Sequence, residues 1–81
     1  GGIGSITVVE NPLAIPGTEG VSTVEADCSP KIAIGGGCRV NDPTNNSFYG
    51  SYRSSANKWT CEYYIGVGVT PTITAQAICA P

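Results

Sequence analysis

The sequence has no histidine and no methionine, one leucine (Leu13), and only four Lys or Arg against six Asp or Glu in 81 residues. Each shortage excludes something. Without histidine the commonest general base and metal ligand is missing. With Leu, Met, Glu, Lys and Arg scarce, the usual fillers of helices are missing too, and no stretch long enough for a helix carries the helical period. The net charge of −2, with no basic run, leaves no electrostatic footprint for nucleic acid or an anionic membrane surface. No apolar run approaches bilayer thickness, so direct membrane insertion is not expected. The chain opens Gly1-Gly2-Ile3-Gly4 with neither a start methionine nor a signal peptide. The expectation is a mature, processed form or a piece cut from a longer chain.

What is present is Gly, Pro, Ser, Thr, Asn and Val, and a repeated period of two. Ser5–Glu10 reads as a first strand. Asn11-Pro12 and Pro16-Gly17 then punctuate a long loop holding a short extended piece, Leu13–Ile15. In the second strand, Val21–Cys28, the residues Val24, Ala26 and Cys28 share one face. In the third, Lys31–Val40, the apolar phase is Ile32, Ile34, Cys38 and Val40, interrupted by Gly35-Gly36-Gly37. Glycines inside a strand mark a bulge or the close approach of another group. Asn41–Ser47 is a polar loop with Asx-turn chemistry, and Phe48–Ser54 a short strand. Lys58–Ile65 alternates most clearly, with Trp59, Cys61, Tyr63 and Ile65 inward and Lys58, Thr60, Glu62 and Tyr64 outward. Gly66–Thr70 is a hairpin arm or wide loop, and Thr72–Cys79 closes the chain with Ile73, Ala75, Ala77 and Cys79 inward. The fold class expected is all-β, a small antiparallel β-sandwich or β-roll with two disulfides. It forms one domain over 1–81, with 1–20 an N-terminal strand and extended loop and 21–81 a disulfide-held core.

The cysteines support this. Cys28, Cys38, Cys61 and Cys79 are too far apart for zinc-finger spacing and lack histidine partners. An even count in a short chain reads as a disulfide framework from an oxidising compartment, so a secreted or extracellular location is expected. All four fall on apolar strand faces. Of the three connectivities, Cys28 with Cys79 and Cys38 with Cys61 are preferred. The first closes nearly the whole domain, and the second pins the glycine-rich strand to the Trp59 strand.

Catalytic chemistry finds little support. Glu25 and Asp27 share a strand face like a carboxylate pair, but nothing nearby would desolvate them, so a solvated outer face is the better reading. Gly35-Gly36-Gly37 lacks the following helix and lysine of a phosphate cradle. Asn41, Asp42, Asn45 and Asn46 offer oxygens in one loop, but with a single carboxylate the loop reads as turns, not calcium. No metal and no cofactor are expected. Asn45-Asn46-Ser47 matches the N-glycosylation sequon, a short motif with many chance hits. The aromatics are more suggestive. Trp59 and Tyr63 are core by phase, whereas Tyr49, Tyr52 and Tyr64 read as exposed. Tyr49 and Tyr52 beside Arg53 form a candidate ligand surface for glycans, or a subunit contact.

The string Ala26-Asp27-Cys28-Ser29-Pro30-Lys31-Ile32-Ala33-Ile34-Gly35-Gly36-Gly37, then Trp59, then Thr74-Ala75-Gln76-Ala77-Ile78-Cys79-Ala80, resembles a small β domain of bacterial secreted and surface proteins. The resemblance runs over Val21–Ala80, and the additional pair Cys38 and Cys61 departs from it. More narrowly, the chain resembles the globular partner of split type IV pilins of metal-reducing bacteria, in which a short helical chain and a β-rich chain are separate. That resemblance implies a non-catalytic structural subunit of a cell-surface filament, packing on the helical chain or on copies of itself. The interface candidates are Ile3, Ile6, Val8, Leu13, Ile15 and Tyr64. The alternative is an adhesion or carbohydrate-binding module using the exposed tyrosines. The segment Ile3–Ile15 could also donate a strand to a neighbouring copy, although the first strand of its own fold is the favoured reading.

Overall fold

Alternating apolar and polar side chains make strands with one wet face and one dry face, and two such sheets bury their dry faces against each other. The computed structural model describes residues 5–42 and 44–81, and among these the chain is six strands. They are β1 (Thr7–Ala14), β2 (Gly20–Asp27), β3 (Ala33–Val40), β4 (Asn46–Ser55), β5 (Lys58–Ile65) and β6 (Thr72–Cys79). They form two antiparallel three-stranded sheets, ordered β1-β6-β3 and β2-β5-β4. The all-β sandwich expected from the sequence is therefore the fold.

The space between the sheets is filled by small residues. Among the described residues the hydrophobic core cluster has twelve members, of which four are alanine (Ala26, Ala33, Ala75, Ala77) and three are half-cystines (Cys28, Cys61, Cys79). The larger members are Ile15, Val24, Tyr63, Ile65 and Ile73. Both preferred disulfides are present, Cys28–Cys79 and Cys38–Cys61, and each joins one sheet to the other. Their Cα–Cα distances are 5.6 and 5.8 Å, well inside the ~10 Å that normally separates packed sheets. The sandwich is pinched at two points, and small core residues are what allow this.

The glycine triplet does both things expected of it. The register of β3 on β6 shifts between Ala33 and Gly35, which is a bulge. One residue further along β3, the Trp59 ring of the opposite sheet occupies the place where a side chain on Gly36 would be. The bulge overturns the expected phase of this strand. Ala33 is buried, and Ile32 and Ile34 are exposed on the outer face, because the additional residue reverses the alternation before Cys38 and Val40 turn inward.

Two other expectations change. Asn11-Pro12 does not end the first strand: β1 runs through both residues and pairs with β6 from Thr7↔Cys79 to Ala14↔Thr72. An edge strand accepts proline because one side of its backbone pairs with no neighbour. Over Thr7–Ala14 the segment pairs with β6 of its own chain, as the favoured reading expected, while Ile3 lies outside the described residues. Thr60, expected outward and wet, is 2% exposed and donates its hydroxyl proton to Ser54 Oγ at 2.6 Å.

The ends of the sandwich are tied by turns. Cys28 N–H donates to Asn57 O, Ala33 N–H to Ala56 O, and Asn57 Nδ2 to Lys31 O, so the β2–β3 and β4–β5 connections hold each other. Asn45 has a left-handed backbone (φ 53°), and its side chain packs on buried Gly66, whose N–H bonds Asn45 O. The sequon asparagine is thus spent on a turn. The loop oxygens are engaged in the same way. Asn41 Oδ1 accepts from Thr72 N–H, Asp42 Oδ1 accepts from Thr44 N–H, and Asn46 Nδ2 donates to Asp42 O.

Candidate functional site

No cleft or enclosed cavity is present among the described residues, and no group of three His, Cys, Asp or Glu is placed to hold a metal. What the fold offers instead are two outer sheet faces, one on each side of the sandwich.

The outer face of β1-β6-β3 divides into a polar middle and an apolar end. In the middle, Glu10 on β1 accepts from Gln76 Nε2 on β6 at 3.1 Å and pairs with Arg39 on β3 at 3.6 Å. Both ends of that ion pair are wet, so it fixes side-chain positions more than it stabilises the fold. Toward the Cys79 end the register sets Val8 beside Ile78, and Ile78 beside Gly35 next to the bulged Ile34. Ile6 and Ile32 extend this row, Ile32 through a bond from Ala80 N–H to its carbonyl. Ile6, Val8, Ile32 and Ile34 are each at least half exposed. Isolated surface aliphatics need no explanation, but a row crossing all three strands of a sheet does.

This row holds two of the interface residues expected from the sequence, Ile6 and Val8. Ile3 lies outside the described residues. Leu13 is exposed near the other end of β1. Ile15 is a correction: it is 4% exposed, its N–H bonds Pro71 O, and it belongs to the core. Tyr64 is on the opposite sheet. Ile32, Ile34 and Ile78 were not expected here. The glycine triplet was the one available signal, since a bulge at its start inverts the phase of what precedes it.

The outer face of β2-β5-β4 is aromatic and acidic at one end. β4 carries a bulge between Phe48 and Gly50 that turns Tyr49 outward, where its ring lies near-parallel to Tyr64 with centroids 6.4 Å apart. Phe48 turns the other way and meets Tyr63 edge-on at 5.5 Å. Tyr52 returns to the outer face opposite Thr60, and its ring and the Glu62 carboxylate flank Gly50. Glu19 accepts a hydrogen bond from the Tyr64 hydroxyl, which raises that phenol above its ordinary range. Burial raises Tyr63 in turn. Arg53 does not join the tyrosines. It pairs with Trp59 on the inward phase of β4 and donates from a guanidinium nitrogen to Ala33 O of the other sheet at 3.3 Å. The sequence put it beside Tyr52, and the strand's alternation puts it on the opposite side.

Glu25 and Asp27 are both exposed on the outer phase of β2. Asp27 accepts from Ser29 N–H and sits near Lys58, and both interactions hold its carboxyl below the usual aspartate range, the hydrogen bonds more than the charge. A carboxyl made more acidic is the wrong way round for a general acid near neutral pH. Comparison with protein-family models, curated proteins and solved structures finds no match for this chain.

Proposed function

We propose that this domain is a non-catalytic structural subunit of an extracellular assembly, held to its neighbour through the apolar end of the β1-β6-β3 face. The observation that carries this reading is the row of Ile6, Val8, Ile78, Ile34 and Ile32 on a face that would be polar in a solitary domain. Two disulfides indicate an oxidising, extracellular setting. They also give a thin sandwich the durability that a surface assembly needs.

The sequence resemblance to the β-rich chain of split type IV pilins supplies the finer form of the proposal. The assembly is a cell-surface filament, and the neighbour is a short apolar helical chain. An apolar strip crossing three strands suits one helix laid on the sheet, because a helix buries a single stripe of side chains.

The test is recovery of the chain from its source under native conditions, with light scattering and intact mass. Recovery with a short helical chain, or as a high-mass polymer with both disulfides formed, supports the proposal. A fully soluble monomer that captures no partner overturns it.

A further inference from the structure

The tyrosine end of the β2-β5-β4 face lies on the side of the sandwich opposite the proposed contact, so it stays open in an assembly built through that contact. Its construction is specific. Regular alternation would not place Tyr49 and Gly50 on the same side of β4, and the bulge between Phe48 and Gly50 does so. Bulges recur where a strand must re-aim a side chain. The re-aimed ring is 64% exposed and lies beside Tyr64, so the two rings make one aromatic surface instead of two isolated side chains. Gly50 leaves a gap in that surface, bordered on one side by Glu62 Oε1 and on the other by the Tyr52 ring. The result is a sequence of ring, carboxylate and ring running across β5 and β4.

Sugars have two kinds of surface. The C–H face of a pyranose is apolar and packs on an aromatic ring, and its rim of hydroxyls donates hydrogen bonds. Tyrosines supply rigid contact area at low entropic cost, and a carboxylate makes the stronger, charge-assisted bonds to hydroxyl donors. A flat face without a cleft suits an extended polymer better than a small free ligand, which needs concave enclosure. The charge narrows the class. Glu19 and Glu62 border the rings, Arg53 points to the other sheet, and Lys58 lies along β5 within 4.0 Å of Glu25. An anionic polysaccharide would be repelled.

We propose that Tyr49, Tyr64, Tyr52 and Glu62 form a binding face for an uncharged polysaccharide chain. The face is independent of the assembly contact.

The experiment is affinity electrophoresis of the intact, disulfide-bonded chain through gels containing hydroxyethylcellulose, xyloglucan, galactomannan or, as the anionic counterpart, alginate. Retardation is expected in at least one neutral gel and not in alginate. Tyr49→Ala and Tyr52→Ala, both at exposed positions, are each expected to weaken it tenfold or more with little change in melting temperature. Glu62→Gln is expected to weaken it less. Ile34→Ser, on the opposite sheet, is expected to leave it unchanged, which separates this proposal from the assembly reading. Absence of retardation in all three neutral gels overturns the proposal. So does retardation that survives Tyr49→Ala and Tyr52→Ala together, or that is as strong in alginate.

Discussion

Gly36 and Trp59 face each other across the sandwich with no room for even a methyl group between them. A Cβ on Gly36 would overlap the indole ring and the Gln76 carbonyl oxygen. Two residues further along the same two strands, Cys38 and Cys61 are bonded with their Cα atoms 5.8 Å apart. The disulfide pulls the sheets together where the largest side chain of the protein must also fit. Trp59 fits because the opposing residue has no side chain, and its Nε1–H is fixed by Ser51 Oγ at 2.8 Å.

Gly36→Ala should therefore be destabilising although alanine suits a strand better than glycine does. Overpacking of this kind costs about 1–3 kcal/mol. Gly37→Ala is the control. Its new methyl would point outward, with only Gln76 Oε1 nearby at 3.9 Å, and a strand glycine exchanged for alanine gains about 0.5–1 kcal/mol. Urea denaturation of the two variants should move in opposite directions. Equal stabilities would show that the indole can swing away from Gly36.

The disulfides should not contribute equally. Their sequence separations are 51 for Cys28–Cys79 and 23 for Cys38–Cys61. In the chain-entropy model these correspond to about 4 and about 3.5 kcal/mol. A chain of this length has roughly 4–12 kcal/mol of stability in total. Replacing both cysteines of either pair with alanine should lower the urea midpoint sharply, and slightly more for the longer loop. Reducing both bonds should unfold the domain at room temperature, as followed by circular dichroism.

Acid should weaken the fold through two exposed turns. Asp27 and Asp42 each accept a hydrogen bond from the N–H two residues on, and each is held below the usual aspartate range by it. A carboxyl more acidic in the folded than in the unfolded state stabilises the fold above its unfolded pKa. That contribution is lost as pH falls through the depressed folded value, which places the loss below about pH 4. The double variant Asp27→Asn, Asp42→Asn should show a shallower decline of melting temperature from about pH 5 to about pH 2 than the parent chain. A parallel decline would mean that other carboxylates carry the acid sensitivity.

Much of the fold was legible because its strongest signals were local. The alternation through Trp59, Cys61, Tyr63 and Ile65 fixed the inner face of β5, and the inward phase of all four cysteines let them meet in the core, with Cys28–Cys79 and Cys38–Cys61 preferred because the first closes nearly the whole domain and the second pins the glycine-rich strand to β5. What stayed hidden were the places where alternation breaks. A single additional residue at Ile34 moved two isoleucines from the expected core to the surface, and nothing in the string Ile32-Ala33-Ile34 says which neighbour turns inward. Tyr49 is exposed as expected, but the bulge that sets it on the same side as Gly50 left no mark in the sequence, and Arg53, adjacent to Tyr52 in sequence, is on the other side of the strand. Pro12 and Ile15 failed differently. Whether a proline interrupts a strand depends on whether that strand is at an edge, and edge position is a property of the sheet.

The apolar row offers the sharpest separation of stability from function. Ile34 is 57% exposed and Val8 51% exposed, so replacing either with serine removes little buried surface. Surface changes of this kind stay within about 0.5 kcal/mol. The double variant Val8→Ser, Ile34→Ser should keep the parent's melting temperature and both disulfides while losing polymer formation or capture of the helical chain. Val24→Ser is the contrasting change. Val24 is 2% exposed in the core, and a buried hydroxyl in its place should cost stability directly. If the surface double variant assembles as the parent does, the row is not the contact, because two of its exposed members would have been made polar without consequence. If it instead unfolds with Val24→Ser, the row is supporting the sheet and not serving a neighbour.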